Sequence, residues 1–173
     1  MWFNKKTPED STPMYVLLGA TRIVLGLIFL WAFFDKVFGL GFATKAGKAW
    51  VDGVSPTTGF LKFGSNPDGP FHALFVSMAG SPVVDWLFML GLLFIGTTML
   101  VGILVRLGGF SGALLVLLMW LALIPPANNP ILDEHVVYLL LFLAFALTPS
   151  GHWIGLGDWW TKTKLVQRYP WLG

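Results

Sequence analysis

The chain has 173 residues, 55% of them hydrophobic and only 12% charged, with a mean hydropathy of +0.72. Soluble domains carry about 25% charge, so this composition describes an integral membrane protein with little room for a soluble domain. The formal net charge of +2 comes from lysines and arginines that flank apolar runs, which does not suggest nucleic acid, and the lack of cysteine excludes disulfides, thiol redox chemistry, iron–sulfur ligation and covalent haem attachment.

Residues 1–13 are polar, with Lys5, Lys6, Glu9 and Asp10. The apolar run that follows predicts a first transmembrane helix over 14–38. It is too long for the core of a signal peptide, and Asp35-Lys36 is not a small-residue cleavage site. Residues 39–80 carry Lys45, Lys48, Asp52, Lys62 and Asp68 together with glycines and prolines. A bare loop of that length is unusual, so short helices are expected: one over 42–51 lying in the interface, one opened by Ser55-Pro56 and running through Phe63, and one over 70–79 with Phe71, Leu74, Phe75 and Met78 on one face. Together they form an outward cap over one end of the bundle.

Ser81-Pro82 opens a second transmembrane helix over 82–105, whose Gly91, Gly96, Thr98 and Gly102 let a neighbour approach closely. Arg106 is placed in the short turn that follows. A third helix over 108–124 begins with Gly109, Ser111, Gly112 and Ala113 and ends at Pro125-Pro126. The fourth apolar run, 136–147, rises only ~18 Å as a helix, against a hydrocarbon core of ~30 Å. A spanning helix must therefore reach back to about Ile131, giving a span of 131–148 that takes in Asp133, Glu134 and His135. Pro149 and Gly151 end it, and a Trp-rich tail carries Lys162, Lys164 and Arg168. The expected fold is an all-α integral membrane protein. It is a single domain over 1–173, a four-helix transmembrane bundle with short helices in the outward loop between helices one and two. Positive residues concentrate at the N-terminus, at Arg106 and in the tail, which places both termini in the cytoplasm.

Ionisable groups at membrane depth are costly, rarely face lipid and usually mark a site. Asp133, Glu134 and His135 are therefore the leading catalytic candidates, with Tyr138 one turn beyond Glu134. The alternative is that the triplet caps a helix N-terminus in the headgroup zone, where acids suit the dipole. Asp35 ends the first helix on the same side and Asp85 starts the second. With Trp31, Phe34, Trp86 and Trp120 they describe either a pocket for a flat, polar-edged ligand such as a quinone or a solvated rim with an aromatic belt. Arg22 lies ~12 Å into the first helix. It either snorkels or pairs with Asp158, or meets an anion or quinone oxygen from inside the bundle. His135 and His152 stand ~25 Å apart along the fourth helix, so a haem held between them is not expected. No flavin or nucleotide motif and no zinc-ligand spacing occurs, and no metal is expected.

One set of residues resembles a known family. Arg22, Gly26, Trp31 and Asp35-Lys36 form the first part of the pattern. Asn129-Pro130, Asp133-Glu134-His135 and Tyr138 form the second, and Gly155-Leu156-Gly157 with Trp159-Trp160 the third. The pattern resembles the DoxX superfamily, and within it the DoxD branch, the membrane subunit of thiosulfate:quinone oxidoreductase. The likeness runs from about Val16 to Trp160. It implies a four-helix protein of a prokaryotic cytoplasmic membrane in quinone-linked sulfur or thiol redox metabolism, with thiosulfate oxidised outside and quinone reduced in the membrane. Glu134, His135 and Asp133 then handle quinone oxygen and protons, and Tyr138, Asp35, Trp31 and Arg22 complete the quinone pocket. DoxD works with a second subunit, DoxA, for which this chain has no room, so a partner subunit is expected; self-association is compatible with the same reading. The rival expectation is a non-catalytic accessory subunit of a larger respiratory or redox complex.

Overall fold

The computed structural model describes residues 8–172, and no strand occurs among them. Helix α1 runs over Pro8–Phe38. The loop after it holds a 3-10 turn at Trp50–Asp52, a π-helical turn at Phe60–Gly64 and the short helix α2, His72–Met78. Three longer helices follow: α3 at Pro82–Val101, α4 at Val105–Leu123 and α5 at Glu134–Leu147. The tail consists of a 3-10 turn at Ser150–His152, α6 at Gly157–Thr161, α7 at Lys164–Arg168 and a last 3-10 turn. The expected Lys5 and Lys6 lie outside the described residues.

Three helices are long and apolar enough to cross a membrane, at Pro13–Phe38, Pro82–Val101 and Val105–Leu123, as expected of a multi-pass membrane protein. The fourth apolar helix is shorter. At 14 residues, α5 rises ~21 Å, less than the ~30 Å hydrocarbon thickness. The expected span of 131–148 is thus too long at its start, for a local reason. Asn129 Oδ1 accepts the amides of Ile131 and Leu132, both at 2.9 Å, and the Trp120 indole donates to the Ile131 carbonyl at 2.8 Å. These bonds hold the segment as a turn, and the helix begins only after it.

The turn between α3 and α4 also sits earlier than expected. Gly102 adopts φ +82°, a left-handed conformation that closes α3 at Val101. Leu104, at φ +55°, then lets α4 start at Val105, so Arg106 belongs to its first turn. In the cap, 42–51 is not a helix; only its end enters a 3-10 turn. Ser55 does open the next turn, its hydroxyl accepting the Thr58 amide at 3.1 Å.

The helices run up and down, with α1 against α3, α4 against α5, and α3 against α4. Glycines set the close approaches. A Cβ on Gly96 would lie 2.8 Å from the Leu30 amide nitrogen, and one on Gly109 would lie 2.8 Å from the Phe142 carbonyl oxygen. The small residues therefore admit the chain's own helices. Between the pairs, Phe29, Met89, Ile95, Met99, Val116 and Phe142 form the buried core, and the Phe29 and Phe142 rings meet edge to face at 5.1 Å. Residues 39–80 and the start of α5 occupy one side of this bundle, the cap side. Arg106 and the tail occupy the other.

Candidate functional site

Asp133 is not helical. It has φ −144° and ψ −172°, and its Oδ1 accepts the His135 amide at 3.0 Å as the N-cap of α5. Its second oxygen, Oδ2, lies 2.9 Å from His135 Nδ1. One carboxylate therefore starts the helix and fixes the imidazole plane. Of the two sequence alternatives, capping is the one Asp133 fulfils, and its other oxygen orients the His135 ring. With Nδ1 turned to Asp133, Nε2 is the ring nitrogen left for a ligand. Both side chains are 12% exposed.

His135 lines a groove of about 210 Å³ between α4 and α5. Its walls are Val116, Leu117, Leu132, Val136 and Leu139, with the Trp120 ring. The Trp120 N–H is already engaged by Ile131. His135 is thus the single titratable residue on an otherwise apolar wall. Such a site suits a flat apolar molecule with a polar edge. Glu134 is exposed in the first turn of α5. One ligand atom from each of Asp133, Glu134 and His135 falls within 4.8 Å of the others, so the triplet could offer a cation three atoms.

The other expected pocket residues stand elsewhere. Tyr138 packs against the main core. Asp35 is 1% exposed, and its two oxygens accept the amides of Thr44 at 2.8 Å and Phe42 at 3.3 Å, closing the loop after α1. Trp31 is half-exposed and meets the Phe42 ring edge to face at 5.1 Å. Asp85 Oδ1 accepts the hydroxyls of Ser55 at 2.8 Å and Thr57 at 2.5 Å. The expected ring of carboxylates is therefore not gathered round one ligand, since Asp35 and Asp85 each hold a loop.

Arg22 is fully buried. It neither snorkels nor meets Asp158. Its Nη1 donates to the Met99 carbonyl, and its Nη2 donates to the carbonyls of Trp153 at 3.0 Å and Ile154 at 2.9 Å. Asp158 is taken instead by His152, with Nδ1 to Oδ1 at 2.5 Å. That hydrogen bond holds the Asp158 carboxyl below the usual range. Sequence reasoning missed this pair; it named Trp120 near the pocket and Asn129 in a turn, but not the bonds by which they shape the groove. A turn-forming Asn two residues before the amide it binds was the available signal for the Asn129 bonds. No family model, curated protein or solved structure matches the chain.

Proposed function

We propose that the chain is a quinone-binding subunit of a membrane redox system resembling thiosulfate:quinone oxidoreductase. The observation that carries the reading is the His135 imidazole, backed by Asp133, on the wall of an apolar groove between α4, long enough to cross a membrane, and the shorter apolar helix α5. The apolar walls fit a quinone ring, and Nε2 fits one of its carbonyl oxygens. A quinone taking up two electrons also takes up two protons, and two thiosulfate anions release two electrons on joining as tetrathionate. In this reading His135 Nε2 hydrogen-bonds the carbonyl oxygen and moves a proton there. Asp133 keeps the ring in the orientation that presents Nε2. Glu134, exposed at the start of α5, exchanges protons between the solvent and the groove. The chain has no cysteine, so electrons arrive from substrate in direct contact or from a partner subunit. The tail side faces the cytoplasm, where the positive residues gather, and the groove opens toward the outer leaflet.

The accessory-subunit reading has one observation in its favour. Gly91 on α3 has nothing within 4 Å of where a Cβ would stand, which leaves a place for a helix of another chain.

Gentle purification from native membranes, followed by extraction and mass spectrometry of bound quinone, tests the proposal. Near-stoichiometric quinone is expected, falling at least ten-fold in His135→Ala, while Glu134→Gln keeps quinone and slows turnover. Quinone content and turnover that are indifferent to His135→Ala, in a complex that stays assembled, would favour the accessory role.

A further inference from the structure

A second cavity lies at the opposite end of α5 from His135. It measures about 300 Å³ and is bounded by the first turn of α4, the last turn of α5 and the tail. Its charged or titratable lining residues are Arg106 and His152, and no carboxylate lines it. Arg106 is exposed and forms no ion pair among the described residues. The Thr148 and Thr161 hydroxyls also line the cavity; they donate to the Ala144 and Gly157 carbonyls and keep lone pairs free to accept.

A second cation stands behind the wall. Gly102 and Gly151 line the cavity, and a Cβ on Gly102 would lie 3.1 Å from Arg22 Nη1. One glycine backbone therefore separates the cavity from a fully buried guanidinium. Every hydrogen-bond acceptor of Arg22 is a neutral carbonyl, and its Nε has no partner at all. Arginine stays protonated in proteins, and a buried charge without a counter-charge is costly. The nearest acid in the tail, Asp158, is held by His152 and is 73% exposed. The cavity thus lies between two arginines from different helices, and the one carboxylate beside it, Asp158, is outside its lining and is engaged by His152.

We propose that this cavity binds a phosphate group, carried by an anionic phospholipid. Arg106 donates to the phosphate oxygens as a charge-assisted fork, and Arg22 contributes its field through the glycine wall. The threonine hydroxyls accept from a glycerol headgroup. The acyl chains leave past Leu147, an exposed residue in the last turn of α5 that also lines the cavity. The site is independent of the quinone reading, because it shares no lining residue with the groove at His135.

Native mass spectrometry of the full chain, delipidated in mild detergent, tests this with equimolar phosphatidylglycerol and phosphatidylcholine of matched chains. One phosphatidylglycerol per chain is expected to be retained at least ten-fold over phosphatidylcholine. Arg106→Gln, at an exposed position, is expected to leave the circular dichroism unchanged and to abolish that preference, and Lys164→Gln is expected to leave it intact. Millimolar inorganic phosphate separates the two sources of the group. Retention that persists in its presence supports the lipid, whereas displacement of the lipid by it overturns the lipid and leaves a site for soluble phosphate. Equal retention of both lipids, or a preference that survives Arg106→Gln and vanishes in Lys164→Gln, would overturn the site itself.

Discussion

The two sides of the bundle bury charge in opposite ways. On the cap side the buried charges are acids: Asp35 and Asp85 are 1% and 7% exposed. Backbone amides hold the first and hydroxyls the second. On the tail side the buried charge is Arg22, held by three backbone carbonyls. Neither side uses an ion pair for these groups, because no carboxylate lies within bridging distance of Arg22 and no cation within that distance of Asp35 or Asp85 among the described residues. Each charge ties a connecting segment to a helix end by satisfying backbone or hydroxyl groups that would otherwise be stranded. Residues employed in this way are committed to holding the fold, although Arg22 Nε stays without a partner. His135, with Nδ1 held by Asp133 on the wall of a groove, is placed differently from the buried Asp35 and Arg22.

Arg22→Met tests the tail side and carries the largest expected effect. It removes three charge-assisted hydrogen bonds, each contributing about 1.5–3 kcal/mol, and it also relieves the cost of burying an ion. A net loss of about 3 kcal/mol is expected, measured by reversible unfolding in mixed detergent micelles. Arg22→Lys is expected to recover less than half of it, because a single ammonium cannot reach Met99 on α3 and both Trp153 and Ile154 in the tail. A variant Arg22→Met as stable as the parent would mean that close backbone packing between Gly102 and Gly151 holds the tail without the guanidinium.

The apolar runs made α3 and α4 legible, since helices of 20 and 19 residues match the membrane thickness and need no tertiary information. Gly96 was legible as a close-approach point from its small size, whereas Gly91, read the same way, meets no neighbour within the chain. The start of α5 was not, because the span-length argument required every apolar helix to cross on its own. Asp133 and Asn129 instead make local bonds with amides two or three residues away, and these make the helix start late. Arg22 was legible as an embedded charge, but its partners were not. They are main-chain carbonyls at Met99, Trp153 and Ile154, and a carbonyl leaves no mark on the residue type that bears it. The sequence pairing of Arg22 with Asp158 failed because a nearer histidine, in the turn at Ser150–His152, takes that carboxylate first.

The two buried acids sharpen the cap side against each other. Asp35 accepts one amide on each oxygen. In Asp35→Asn one of those amides faces an NH2 group and loses its acceptor, at a cost of about 1–3 kcal/mol. Asp85 accepts both hydroxyls on the same oxygen. An asparagine there can keep both bonds, so Asp85→Asn is expected to cost less than about 1 kcal/mol. Unfolding in the same micelles, with hydrogen exchange at the Thr44 amide, checks the pair. Equal losses would show that charge, rather than the number of oxygens engaged, decides how the cap is held.

The smallest effect is expected at Asp158, the tail-side acid that does have a titratable partner. Its carboxyl titrates below its ordinary value of 3.8, chiefly because it accepts a hydrogen bond from His152. A depressed folded-state value stabilises the fold above the ordinary carboxylate range, and that contribution disappears as pH falls through the folded value. The link between the turn at Ser150–His152 and α6 should therefore be intact at neutral pH and open only in strong acid. Carbon-13 titration of the Asp158 carboxyl is expected to show a midpoint under 3.8 that rises toward it in His152→Ala. Because the group is exposed, salt screens the interaction and the unfolding midpoint is expected to move little. If the midpoint does not move in His152→Ala, the pair does not fix the tail. The tail side would then depend on Arg22 alone, which makes the contrast with the cap, where two acids share the task, sharper still.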